Sequence, residues 1–169
     1  MGSQDTSDNG LIFAAILDGN GGSREIGWDD VGNWQPGSGL LWVHLDFTGE
    51  RAQRWLAAES GLVDLVVESL MADETRPRCD TVDGALLVSL RGVNINPGAD
   101  PEDMVAIRLY SDGDRIISTR RRRLMSASNL AEQLDQGRGP TTLGAFLATL
   151  CDQLVERMSG AIQDIEDRI

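Results

Sequence analysis

"MVAIRLYSDGDRIISTRRRR", residues 104–123, decides how this chain folds. Two apolar runs, Met104–Tyr110 and Asp114–Thr119, flank Asp112-Gly113, a dipeptide suited to the positive φ angles of a tight turn between antiparallel strands. Upstream, Cys79–Val82 and Ala85–Val93 read as two further strands, and "LLWVHL" at Leu40–Leu45 as another. Leu11–Leu17 is an apolar strand, "DGNGG" turns the chain, and Arg24–Trp28 is placed to pair back as a hairpin. Thr48 is positioned to cap a helix, "TGERAQRWLAAES". Gly61 separates this from a second helical pattern carrying Leu62, Leu65, Val66, Ser69 and Leu70.

Downstream of the quoted stretch the pattern turns helical. Leu124–Gln136 is one helix. From Thr142 the residues Leu143, Phe146, Leu147, Leu150, Leu154, Val155, Met158, Ile162, Ile165 and Ile169 recur at steps of three and four. Thr142 to Ile169 predicts a helix of about 42 Å, longer than a domain of this size needs and without a Gly, Asn or Pro stop.

The 169 residues suit one compact domain. A hydrophobic fraction of 41% with 25% charged residues is the composition of a soluble globular protein. The four tryptophans are expected in the core. The formal net charge is -12 and every one of the fifteen basic residues is arginine. Such a balance disfavours holding phosphate backbones and favours metal cations as partners. Cys79 and Cys151 are far apart and fit neither disulfide nor zinc-finger spacing, which points to a reducing compartment. "LIFAAIL" near the start is too short for a signal peptide or a membrane span.

Catalytic chemistry finds little support. The glycines of "LDGNGGSREIG" follow a strand but precede another strand, where a dinucleotide fingerprint requires a helix. His44, the sole histidine, has no Ser or Cys in its segment to act as a nucleophile and reads as structural. His44, Cys79 and Cys151 sit in separate elements without the paired spacing of a zinc site. Carboxylates gather at Glu68, Asp73, Glu74, Asp80 and Asp83, and again at Asp152, Glu156, Asp164, Glu166 and Asp167; most are expected on solvated faces. Arg120, Arg121, Arg122 and Arg123 would make four phosphate contacts at most, a log-log salt slope of about -3.6, with no aromatics interleaved for stacking. No nucleic acid partner is expected, and the run is left to offset neighbouring carboxylates.

The stretch from Glu68 to Leu124, with the strand "LWVHL", the link "RPRCDTVDGALLVSLRG", the hairpin ending "IISTRR" and the helix "TTLGAFLATLCDQLVERMSGAIQDIEDRI", resembles the cytoplasmic domain of the CorA type of divalent metal transporters, most particularly their ZntB zinc branch. These pieces run in order over nearly the whole chain from Leu11. The resemblance implies an α/β fold, a mixed β-sheet flanked by helices as an α/β/α sandwich and ending in a long stalk helix. It implies three regions: a flexible tail at 1–10, the α/β cytoplasmic domain at 11–140, and the start of the stalk at 141–169, short of the membrane spans and their "GMN" pore signature.

It further implies a homopentameric funnel for zinc or another divalent cation. The full-length protein would lie in the inner (plasma) membrane with this domain cytoplasmic, reaching the membrane only through its C-terminal part. No cofactor would be required, because the cation is the transported or regulatory ion. Some relatives hold regulatory cations between subunits with a neighbouring Glu and Asp at the end of the second helix, where this chain has Glu68 and Ser69; a stalk carboxylate matches Asp152, beside Cys151. Glu68, Asp152 and Cys151 are therefore the candidate intersubunit metal ligands. The four arginines would sit near the funnel or a subunit contact. The alternative is a stand-alone oligomeric metal-sensing or scaffold protein.

Overall fold

The computed structural model describes residues 9–73, 76–94, 98 and 104–168. In chain order the elements are β1 (Leu11–Leu17), β2 (Ser23–Glu25), α1 (Trp28–Asn33), β3 (Leu40–Asp46), α2 (Glu50–Arg54, running on as a π-helical turn over Trp55–Glu59), α3 (Asp64–Leu70), β4 (Arg78–Val82), β5 (Ala85–Val93), β6 (Met104–Ser111), β7 (Arg115–Arg120), α4 (Met125–Asp135) and α5 (Leu143–Asp167). The strands make one sheet in the order β2-β1-β3-β7-β6-β5-β4. Among the described strands only β3 and β7 pair in parallel, so the sheet is mixed.

Alternation along the central strands builds two cores. Leu41, Val43 and Leu45 of β3 and Ile117 of β7 meet Val66, Val67 and Leu70 of α3 and Trp55 and Leu56 of the π turn. Trp42 and Ile116, one step out of phase, meet Leu130 and Leu134 of α4 and Phe146, Leu150 and Leu154 of α5 on the opposite face. The expected α/β/α sandwich is thus present, with α5 as the long final helix. Gly92 on β5 matters to this packing, because a Cβ there would press into the Leu154 and Leu124 side chains. Its absence lets α5 settle close on the sheet.

The Asp112-Gly113 hairpin forms as read, with Gly113 at φ 96° and the Asp112 carboxylate accepting from the backbone N–H groups of Asp114 and Arg115. Thr142 caps α5 through its hydroxyl, which accepts from the Ala145 N–H at 3.1 Å. Three local readings need correction. The strand expected at Arg24–Trp28 ends at Glu25, because Trp28 opens α1, a helix whose short, Gly-containing sequence carries no clear period. Thr48 does not cap α2: its hydroxyl and N–H both turn back to the Asp46 carboxylate, and Gly49 takes the cap position. Leu65 faces solvent at 61% exposure, while Val67 takes its place in the core.

Of the tryptophans, Trp42 and Trp55 are buried as expected, whereas Trp28 and Trp34 are half-buried. Asn9 and Gly10, assigned to the tail, are tied to the sheet: the Asn9 side chain accepts from Leu11 N–H, and the buried Gly10 carbonyl accepts from Asp46 N–H. Residues 1–8, like Glu74 and Ile169, lie outside the described residues.

His44 is a core residue, as its sequence context indicates. Ser118 Oγ accepts from Trp42 Nε1 at 2.9 Å. The same hydroxyl lies 2.7 Å from His44 Nδ1, a buried hydrogen bond that ties the imidazole to the Trp42 indole through one serine oxygen. Burial, reinforced by the nearby Arg120 charge, pushes the His44 pKa from 6.5 to about 3. The unfolded chain therefore takes up this proton first. His44's neutral state is compatible with full stability above pH 6.5, and stability falls as pH drops from there toward 3. At about pH 5.5, still above most carboxylate titration, the loss is about 1.4 kcal/mol. Urea unfolding of the wild type and of His44→Gln over this range checks it: the variant is weaker throughout but lacks this pH slope.

Leu150, on α5 and 1% exposed against the sheet, tests the second core. Leu150→Ala is expected to lower unfolding free energy by about 2–5 kcal/mol through lost burial and the cavity left. Val155→Ala, on the same helix but at 61% exposure, should stay within about 0.5 kcal/mol.

Candidate functional site

The four arginines leave the sheet at the end of β7. Arg120 pairs in the ladder with Asp46 at the end of β3, so two opposite charges meet where the parallel pair stops. Arg120 is half-buried, and burial draws its pKa below the ordinary arginine value; the Asp46 carboxylate opposes that fall and Arg123 adds to it. Arg121 donates to the Asp73 carboxylate at 2.9 Å, with both side chains exposed. An ion pair so open to water contributes about 0–1 kcal/mol. Arg122 and Arg123 are exposed. Arg120 and Arg121 thus each lie beside a carboxylate, Asp46 and Asp73.

Asp73 is held from a second side by a residue that sequence reading passed over. Arg108, in the middle of β6 and only 2% exposed, donates from Nη2 to the Asp73 carbonyl at 3.1 Å and lies 4.9 Å over the Phe47 ring. Burial lowers its pKa, with Asp73 opposing. The chain leaving α3 is thereby pinned by two cations, one on the backbone and one on the carboxylate. Alternation in "MVAIRLYS" puts Arg108 opposite Ile107 and Leu109, which alone would not separate solvent from a covered face.

Glu68 and Ser69 lie on the outer side of α3 and line a cleft of about 530 Å³. Arg76, Arg78 and Ser89 also line it. Arg78 is occupied with Asp80 at 3.2 Å. One carboxylate beside two guanidiniums offers a divalent ion no net negative field within a single chain, so a cation here needs carboxylates from elsewhere.

Cys151 and Asp152 are both exposed on α5, whose Leu150 and Leu154 face the sheet. Helical phase with Leu147, Leu154 and Val155 offers a core position for Cys151; instead Leu150 and Leu154 take the buried side, and Val155 is itself exposed. Partial burial, then the Asp152 charge, raises the Cys151 pKa, which favours the neutral thiol. α3 packs on one face of the sheet and α5 on the other. Glu68 is therefore not brought to Asp152 and Cys151 within one chain. Among the described residues no three His, Cys, Asp or Glu side chains gather as a metal site, and no helix is long and apolar enough to cross a membrane.

The geometry meets known proteins over most of its length. Residues 37–169 match the family described as CorA-like Mg2+ transporter protein. The divalent cation transporter CmaX of Pseudomonas aeruginosa is 39% identical over 165 residues, covering 96% of this chain and 49% of that protein. A solved structure of full-length CmaX superposes with a TM-score of 0.89 at 38% identity, over 99% of this chain and 51% of the other. The zinc transport protein ZntB of Klebsiella pneumoniae is 35% identical over 158 residues, 94% of this chain and 47% of that one. The crystal structure of the ZntB cytoplasmic domain from Vibrio parahaemolyticus has the same fold, with a TM-score of 0.79 at 22% identity over 94% of this chain and 63% of that one. The chain thus spans about half the length of the curated relatives it matches. With the mixed sheet, the two helical layers and the long last helix all shared, this chain belongs to the CorA-like family of metal ion transporter proteins.

Proposed function

We propose that this chain is the cytoplasmic domain of a membrane transporter for zinc or a related divalent cation, without catalytic chemistry, and that several copies, five in the arrangement the family resemblance implies, line a funnel to the pore. The observation that carries this reading is the change of surface along α5. Phe146, Leu150 and Leu154 are buried against the sheet, while Val155, Ile162 and Ile165 are exposed at 61%, 56% and 43%. A helix with apolar positions beyond its own sheet suits a stalk that packs against copies of itself. Relatives of about twice the span, described as cation and zinc transporters, support the same reading over a stand-alone sensor or scaffold.

Within such an assembly, Glu68 of one copy and Asp152 of the next are the carboxylates proposed to meet at a regulatory cation. Two carboxylates about 4 Å apart repel by about 4 kcal/mol at an effective dielectric of 20, which a bound divalent ion relieves. Ser69 supplies no charge, which weakens magnesium, and Cys151 favours zinc once deprotonated. Arg120–Arg123 would balance carboxylates along the funnel.

Two experiments test the reading. The reading frame should continue past Ile169 into two apolar spans of about 20 residues each, and the full-length protein in proteoliposomes should move zinc across the bilayer. A frame that ends there, with no transport, overturns it. Titrating zinc and magnesium by calorimetry into the full-length protein should show zinc preferred, with affinity reduced about tenfold by Glu68→Gln, Asp152→Asn or Cys151→Ser. Unchanged affinity in all three removes the intersubunit site while leaving the transporter reading intact.

A further inference from the structure

On the α1 side of the sheet, α1, the π turn and the β6–β7 turn enclose a cleft of about 440 Å³, within the size range of small-molecule sites. Trp28, Trp34 and Trp55 line it, together with Arg51, Arg115 and Glu59. None of these residues has a part in the cation chemistry above. Trp28 and Trp55 stand 6.0 Å apart with ring planes at 52°, and Arg51 lies 5.0 Å from the Trp28 ring centre.

The donors of the cleft differ in what they already hold. Trp34 Nε1 donates to the Gly39 carbonyl at 3.1 Å. Arg115 is fully placed: Nε on the Asp112 carboxylate at 3.1 Å and Nη1 on the Ser60 carbonyl at 2.7 Å. Trp28 Nε1 is buried yet has no acceptor among the described residues, and Arg51 makes no ion pair among them. A buried indole N–H without a partner costs about 1–3 kcal/mol, so an acceptor entering the cleft would recover that loss. The π-helical turn that brings Trp55 and Glu59 to the wall is a distortion often found at binding sites.

We propose that this cleft binds a small planar organic monoanion, an aromatic carboxylate in chemical class. The tryptophan faces accept the flat ring, the Arg51 guanidinium and the Trp28 N–H supply donors to the carboxylate, and the Trp28 ring steadies Arg51 from behind. Asp112 already neutralises Arg115, which leaves Arg51 as the guanidinium of the lining without an ion pair; with Glu59 counted the lining carries no net charge, so a polyphosphate or dianion would be repelled.

The test uses the 169-residue chain with benzoate as probe, and benzyl alcohol, benzylammonium and inorganic phosphate as controls, followed by the indole N–H signals in proton–nitrogen NMR spectra. The four tryptophans give four such signals; Trp28→Phe identifies one by its loss and keeps a ring in place. Benzoate should shift the Trp28 signal saturably, with a Kd on the order of 0.1–1 mM for so small a ligand, while the core Trp42 signal stays still. Benzyl alcohol should bind about tenfold more weakly, and Arg51→Gln should erase that difference. Arg51 is exposed, so an unchanged Trp42 signal verifies that the variant folds. The proposal is overturned by any one of three results: no saturable shift up to about 10 mM, benzylammonium or phosphate binding as well as benzoate, or a carboxylate preference that survives Arg51→Gln. Metal transport and metal affinity are not read in this experiment, so its failure leaves the transporter reading untouched.

Discussion

The parallel pairing of β3 with β7 places two strands side by side in the middle of the sheet, with Val43, Leu45, Ile116 and Ile117 all at 0% exposure. Strands buried on both faces need a layer on each side, and parallel neighbours need a long connection between them. Here that connection contains α2, α3 and the β4–β5–β6 strands, and the chain after β7 supplies α4 and α5 for the other face. The two cores follow from this one arrangement, as does the position of every side chain discussed for function.

The same centre admits polar groups only where they satisfy one another. Trp42, Ser118 and His44 close a buried set in which Ser118 Oγ bonds to both rings, and the histidine stays neutral. Thr119, facing the other way, donates to the Leu70 carbonyl at the end of α3. Arg108 then reaches the Asp73 carbonyl just beyond it. Sheet and α3 are thus joined by polar contacts as well as by Val66, Val67 and Leu70, which fixes the surface that carries Glu68.

The candidate cation ligands are distributed over the outsides of the two layers. Glu68 projects from one helical layer and Asp152 from the other, so the sheet lies between them and a shared cation demands more than one copy. Along α5 the close approach at Gly92 holds the first half on β5, and the apolar stripe then runs past the sheet. The tryptophan cleft occupies a third place, at the end of the sheet where β3 begins and β7 emerges from its turn. Its geometry does not depend on α5 at all.

Much of this was legible in the chain itself. Period-two apolar runs, Asp112-Gly113 and the step-three-and-four stripe from Leu143 identify the strands, their tightest turn and the final helix, because burial on a sheet or helix face imposes those spacings directly. Family resemblance, carried by residues in order from Leu11, identified the sandwich and the candidates Glu68, Asp152 and Cys151. Tertiary structure alone decided what depends on partners distant in sequence. Thr48 turned back to Asp46 rather than capping α2, Leu65 stands in solvent while Val67 is buried, and Cys151 is exposed on α5. Arg108 finds its acceptor at the Asp73 carbonyl, thirty-five positions away, and three separate elements bring Trp28, Arg51 and Arg115 to one cleft. Local spacing states which residues share a face; only the packing of one element on another states what that face meets.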